Sequence, residues 1–389
     1  MKIGVLTMHK VKNHGSFLQA YALCNLIKEI SGEDVSLIDF SSKKGIIDPC
    51  KESYKRFKSS RIRYALISLA AAFSDLPILD KMLIKNKKIR SWRNLLRYYR
   101  LYNDKYERKF WKHLPFLNKT LKNADIDFLV IGSDEVFNYK VNNAVGYSDE
   151  LFGEGSPTDN IISFSACFGN TDITDIDDEL KAKLSGYLSR FKGISVRDKN
   201  SEQIIRALVG DEREIGYHLD PVFHYSFEPE LPKIKRKKPY LVLYAYDGLE
   251  EEFKARVKEY ADSRGLEIVC LHGYQGDFGE YVSASPFEVL SYIKNAECVV
   301  TTTFHGSVFS IKFNKPFCVL LKEHNKKDYN NNSKLKDLLL RMNLMGQATK
   351  DFADLEKVIE RGIDYTEVNK MLDIAVGDGI SYLKSILES

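Results

Sequence analysis

Short apolar runs alternate with segments of helical periodicity along nearly the whole chain. Lys2–Met8 reads as a strand. Leu18–Ile30 reads as a helix with Leu23, Leu26, Ile27 and Ile30 on one face, and Val35–Phe40 reads as a second strand. After an interruption the rhythm resumes with strands at Phe128–Ile131, Ile161–Ala166 and Gly193–Val196. In the second half, strands at Tyr240–Tyr246, Leu266–Leu271, Cys298–Thr302 and Phe317–Leu321 alternate with helices at Leu249–Ser263, Pro286–Ala296 and His305–Phe313. Ser333–Met342 is a further helix, and helical segments run from Phe352 to the end. Such alternation predicts parallel sheets joined by crossover helices.

Pro221, Pro232 and the basic run Lys235–Lys238 mark a linker within residues 215–238. The expected architecture is therefore α/β, with two Rossmann-like domains facing a cleft. The first spans residues 1–220, the second spans 221–365, and a helical tail covers 366–389. The interruption, about residues 43–121, reads as a helical insertion in the first domain. It is basic (Lys85, Lys87, Lys88, Arg90, Arg93, Arg97, Arg100) and interleaved with Trp92, Tyr98, Tyr99, Tyr102, Tyr106 and Trp111. Its charges are either a solvated helical face, the favoured reading, or a surface for an anionic membrane.

Composition narrows the function classes. A length of 389 residues suits two cores rather than one, and 44% hydrophobic with 29% charged residues suits a globular chain. A net charge of only +4 argues against nucleic acid as a partner. The opening run Ile3–Leu6 is too short for a signal core, and Tyr64–Ser74 is too short to span a bilayer, so a cytoplasmic location is expected. The six cysteines, Cys24, Cys50, Cys167, Cys270, Cys298 and Cys318, show no C-x-x-C spacing. They read as reduced thiols, with no metal site expected.

In parallel sheets, ligands bind beyond the carboxyl ends of the strands. That rule selects Asn13, His14, Gly15 and Ser16; Ser133 and Asp134; Arg197 and Asp198; and the run Thr301 to Ser307. His305 and Gly306 fall at a helix start, where free amides and the macrodipole favour a phosphate or carboxylate. Gly306 is expected to let a ligand approach the backbone. A histidine beside such an anion suits a general acid, or else His305 merely caps the helix; the pattern leaves both open. Arg197 either binds a substrate anion through its fork or pairs with Asp198. Asn13-His14-Gly15 lacks the G-x-G-x-x-G spacing, so Asp39 reads as structural rather than ribose-binding. No Walker-type loop, G-x-S-x-G elbow or H-E-x-x-H is present. His113, His218, His224, His272 and His324 have no evident partners in the pattern and read as surface or core residues.

Taken in order, these segments resemble the polysaccharide pyruvyl transferase family over roughly residues 3 to 322. The resemblance is carried by Asn13 through Leu23, by Ile131-Gly132-Ser133-Asp134-Glu135-Val136-Phe137-Asn138, by Ser195 through Ser201, by Leu219-Asp220-Pro221, and by Phe304-His305-Gly306 with Lys315-Pro316. In the middle motif the family often reads Gly-Ser-Asp-Gln-Val-Trp-Asn, so Glu135 and Phe137 depart from it.

The resemblance implies a GT-B-like fold, with phosphoenolpyruvate as donor and a sugar of a cell-surface polysaccharide or its precursor, lipid-linked or not, as acceptor. It implies a first domain on the acceptor side and a second on the donor side. Arg197 would bind the donor, His305 would act as the acid and Asp134, or less favourably His14, as the base. Asn13, His14, Gly15, Ser133, Asp198, Thr302, Thr303, Gly306 and Ser307 would bind substrate, and no cofactor is expected. A nucleotide-sugar glycosyltransferase and a non-catalytic glycan-binding protein are the rival readings.

Overall fold

The computed structural model describes residues 1–41, 87–99, 101, 110–140, 146–321 and 332–388. Two parallel sheets organise the chain. The first has seven strands: β1 (Lys2–Leu6), β2 (Asp34–Asp39), β3 (Phe116–Thr120), β4 (Phe128–Asp134), β5 (Ile161–Ala166), β6 (Phe191–Val196) and β7 (Ile215–Tyr217). Their spatial order is β3-β2-β1-β4-β5-β6-β7. The second has six: β8 (Tyr240–Ala245), β9 (Glu267–His272), β10 (Glu280–Tyr281), β11 (Cys298–Thr301), β12 (Phe317–Leu320) and β13 (Ala348–Thr349), in the order β10-β9-β8-β11-β12-β13. Both orders are Rossmann-like, with a reversal between the first strand and its fourth-numbered neighbour, β1/β4 and β8/β11. The continuous apolar runs are explained by burial on both faces, as in β4, β5 and β8, where every residue is buried.

The helices are α1 (His14–Ser31), α2 (Lys87–Tyr99), α3 (Asp178–Leu188), α4 (Lys199–Val209), α5 (Pro221–His224), α6 (Glu251–Ser263), α7 (Pro286–Lys294), α8 (Phe304–Lys312), α9 (Asn332–Arg341), α10 (Leu355–Glu360) and α11 (Tyr365–Leu387). Helix α1 starts earlier than the apolar periodicity predicts. The Asn13 side chain accepts a hydrogen bond from the Ser16 amide, and Gly32 ends the helix in the left-handed region at φ 68°. It lies between the domains, where Phe17 and Tyr21 meet Phe287 of α7 edge-on, at 5.7 and 5.1 Å between ring centroids.

Two sequence expectations change. The end of the supposed helical insertion is not helical, because β3 forms the edge of the first sheet beside β2. The basic face of α2 is not simply solvated either. Asn94 donates to the Gly276 carbonyl (2.9 Å) and accepts from the Tyr281 amide (3.2 Å), while Arg97 pairs with Glu280 (3.2 Å). These bonds dock α2 on β10, the edge strand of the second sheet, and bury Arg93, Asn94 and Arg97. Lys85, Arg100, Tyr102, Tyr106 and the stretch 42–86 lie outside the described residues, as do Cys50 and His324. The other five cysteines are buried and free.

The tail also does more than follow the second domain. At its start Tyr365 donates to the Lys315 carbonyl (2.5 Å), and near its end Tyr382 donates to the Ser163 carbonyl of β5 (3.0 Å). Helix α11 therefore crosses back and packs on the first sheet. No helix among the described residues is long and apolar enough to cross a membrane.

Candidate active site

Both strand-order reversals open onto one cleft. The loop after β1 supplies Met8, Val11, Asn13 and Ser16, and the end of β4 supplies Asp134 and Glu135. The end of β8 supplies Tyr244 and Tyr246, β9 supplies His272, and the turn after β11 supplies Thr303, Phe304 and His305. Lys334 of α9 completes the lining. The space between these residues, counted with the solvent it opens to, is about 520 Å³.

His305 sits in the first turn of α8. The capping alternative is settled by Thr303, whose hydroxyl accepts from the Gly306 amide (2.9 Å), leaving the imidazole available. His305 Nε2 lies 3.6 Å from Oδ2 of Asp220 and has no hydrogen bond of its own. Across the domain boundary the ring rests on Gly15, where a Cβ would collide with the imidazole. The N-terminal ends of α1 and α8 thus meet at this contact, and both macrodipoles favour negative charge in the cleft.

Behind His305 stands a buried charge chain. Arg197 Nη1 donates to Asp220 Oδ2 (2.5 Å), and Nη2 lies 3.5 Å from Asp134 Oδ1. Asp134 Oδ2 accepts from the Ser16 hydroxyl (2.7 Å). Burial alone would raise the Asp220 carboxyl, but the His305 ring and the Arg197 guanidinium hold it below the usual carboxylate range. Burial is likewise overcome at Asp134 by Arg197, His305 and Lys334, which lower its pKa. Asp134 also adopts a left-handed backbone, φ 63°, unusual for a side chain with a Cβ and costly unless the surroundings impose it.

Arg197 is buried at the back of the cleft. Its side chain is 2% exposed, and the guanidinium lies 4.4 Å from the centre of the Phe304 ring, which covers it. Its partners are Asp220 and Asp134, not Asp198. Asp198 caps α4 by accepting from the Ser201 amide (2.9 Å). Gly306 packs closely on Thr301, whose hydroxyl a Cβ at position 306 would strike. Ser307 is buried and donates to the Thr303 carbonyl (3.3 Å), and Ser133 is buried with its carbonyl accepting from Thr7 (3.0 Å). Thr302 accepts from the Tyr246 amide (3.2 Å). His14 is buried beneath the cleft, where its Nε2 donates to the Ala284 carbonyl of the second domain (3.1 Å). Burial lowers its pKa to about 4, so it bridges the domains as a neutral ring.

Of the residues selected from sequence, Asn13, Ser16, Asp134, Thr303, Phe304 and His305 line the cleft, and Arg197 stands behind it. Asp220 was visible only as part of Leu219-Asp220-Pro221. Tyr246 follows β8 and His272 ends β9, so the strand-end rule applied uniformly would have found them. Lys334 follows no motif and reaches the cleft through tertiary packing, where it pairs with Glu135 of the first domain.

Two Rossmann-like sheets that share a cleft with a buried Arg–Asp–His chain define a two-domain α/β architecture. The chain belongs to the polysaccharide pyruvyl transferase family, whose profile matches residues 13–322. A comparison with curated proteins finds no match. Among solved structures, the chain is similar to UDP-GlcNAc 2-epimerase from Neisseria meningitidis bound to UDP-GlcNAc (9% identity, covering 100% of this chain and 99% of that one, TM-score 0.48). It is also similar to UDP-N-acetylglucosamine 2-epimerase from Rickettsia bellii (10%, 99% and 97%, 0.44) and to the E. coli heptosyltransferase WaaC (12%, 85% and 91%, 0.37).

Proposed function

We propose that the chain transfers the pyruvyl group of phosphoenolpyruvate to two hydroxyls of a sugar in a surface polysaccharide or its precursor. The products are a cyclic ketal and phosphate. The observation that carries this reading is the placement of His305, with its Nε2 3.6 Å from a buried Asp220 and its ring at the meeting point of two helix starts.

His305 is the acid in this scheme. Protonated Nε2 gives its proton to the methylene carbon of the enol, and the central carbon becomes electrophilic. The first sugar hydroxyl adds there and releases its proton, with Asp134 as the acceptor at the cleft wall. Phosphate then leaves with its bonding electrons and takes up the proton held by Asp134, and the second hydroxyl closes the ring, its proton returning to the neutral imidazole of His305. The first-turn amides of α8 and the N-terminal end of α1 stabilise the donor's negative charge. Arg197 acts as a positioning residue. It holds Asp220 through a hydrogen bond, and Asp220 faces Nε2 of His305 at 3.6 Å.

The test is phosphate release from phosphoenolpyruvate with a glycan panel, products being identified by mass. A mass gain matching one pyruvyl ketal supports the reading. Donor-independent products, or thermal stabilisation by nucleotide sugars but not by phosphoenolpyruvate, count against it.

A further inference from the structure

The second-domain wall of the cleft is aromatic, and no step of the proposed reaction uses it. Tyr246 follows β8, lines the cleft with His305, and is 45% exposed. Its backbone, by contrast, is fixed. The amide donates to Thr302 Oγ1 (3.2 Å), and the carbonyl accepts from Gln275 Nε2 (2.5 Å). Gln275 Oε1 in turn accepts from the Leu249 amide (3.0 Å), and the Gly273 amide donates to the Ala245 carbonyl (2.9 Å). Gly273 allows this close approach, because a Cβ there would run into the backbone of Ala245 to Asp247.

Beside Tyr246 stands His272, with ring centroids 5.5 Å apart and the planes at 63°. Behind it, the His272 ring stacks on buried Tyr244 at 5.0 Å and 17°. His272 is held in the left-handed region, φ 78°. Burial, with His14 and His305 nearby, lowers its pKa to about 3, so the wall is uncharged near neutral pH. A rigid backbone carrying an exposed, uncharged ring is the arrangement expected of a preorganised contact. It offers little to phosphoenolpyruvate, which is small and anionic. It suits a pyranose, whose ring face presents C–H groups while its edge presents hydroxyls.

We infer that Tyr246, backed by His272, is the platform on which the acceptor's sugar ring stacks, directing two of its hydroxyls toward His305. The inference rests on the reading of a sugar acceptor given above. It also moves the acceptor contact to the second domain, whereas the sequence resemblance placed the acceptor side in the first.

The experiment has two arms. In the first, saturation-transfer NMR with methyl glucopyranosides, galactopyranosides and mannopyranosides is run on the full chain with phosphoenolpyruvate present. Ring protons of at least one glycoside are expected to saturate with the wild type and with Tyr246→Phe, and to lose the effect with Tyr246→Ala. In the second, Tyr246→Ala is expected to raise KM for the acceptor roughly 10-fold while leaving KM for the donor and the thermal midpoint unchanged. Saturation of no glycoside by the wild type, equal saturation by Tyr246→Ala, or a Tyr246→Phe variant as impaired as Tyr246→Ala overturns the platform. Glycoside binding that depends on Tyr246 without any phosphate release keeps the platform and overturns the pyruvyl-transfer reading instead.

Discussion

Gly15 and His305 come from different domains, yet each fixes what the other can be. A methyl group at position 15 would occupy the space of the imidazole. Alanine is otherwise the better helix residue, by about 1 kcal/mol in a helix interior. Gly15→Ala is therefore expected to leave the fold intact and to lower kcat at least 100-fold; a variant with normal turnover would show that His305 does not need its observed position. His305→Ala should abolish transfer with little change in thermal midpoint, since the ring is partly exposed and makes no hydrogen bond through Nε2. Arg197→Ala should behave differently. Removing the guanidinium leaves Asp134 and Asp220 buried without their shared cation, a loss of about 3–5 kcal/mol. Urea unfolding of the two variants separates a chemical role from a supporting one; equal stabilities would contradict the buried charge chain. At this scale the sequence showed which polar residues follow strands, but not which of them face the cleft. Arg197, Ser133 and Ser307 obey the strand-end rule and are nonetheless buried, and over Arg197 it is the Phe304 ring that forms the cover. Such covering depends on side chains far apart in the chain.

At the scale of elements, the long apolar runs were legible and the short, late or edge strands were not. β7, β10 and β13 have two or three residues each, too few for a period to register. β3 hid inside a basic segment because an edge strand needs less apolar sequence. Interdomain helix contacts were equally invisible. One side of α9 presents Lys334 to Glu135, Asp337 to the Tyr217 hydroxyl (2.5 Å) and Arg341 to the carbonyls of Tyr217 (3.2 Å) and Arg197 (3.5 Å). These residues recur at helical spacing and join the second domain to the strand ends of the first. Lys334→Met leaves Glu135 buried without its cation and is expected to destabilise the chain by about 3 kcal/mol. Lys334→Met combined with Glu135→Gln, which removes both charges, should recover most of that loss in a double-mutant cycle. No recovery would mean that the two side chains do not act as a pair.

For the whole molecule, two Rossmann-like sheets facing a cleft were legible because βα alternation carries its own topology. The assignment of a tail was less informative, since nothing in the apolar spacing of α11 says which sheet it covers. Acid should reveal how the pieces are held together. Burial lowers the pKa of His9, His14, His218 and His224 to about 4 and that of His272 to about 3. The unfolded chain, with histidines near their ordinary value of about 6.5, then binds protons that the folded chain does not. The stability contributed by neutral histidines is complete above about pH 6.5 and declines as pH falls toward 4. Asp220 and Asp134, whose pKa values are lowered, add a further loss below about pH 4. The thermal midpoint is expected to fall steeply between pH 6 and pH 4.5; a flat profile there would contradict neutral burial. His14→Gln, which cannot titrate, should make that fall shallower.

The return of α11 has a consequence for synthesis. Tyr382 closes over Ser163, His218 and Phe164, all in sequence made far earlier. On the ribosome, the first sheet must therefore wait with this flank uncovered while the entire second domain is translated. The helix that covers it is made only after that domain. A fragment ending at residue 220 would lack that helix permanently, whereas the same fragment mixed with a peptide of residues 365–389 would regain it.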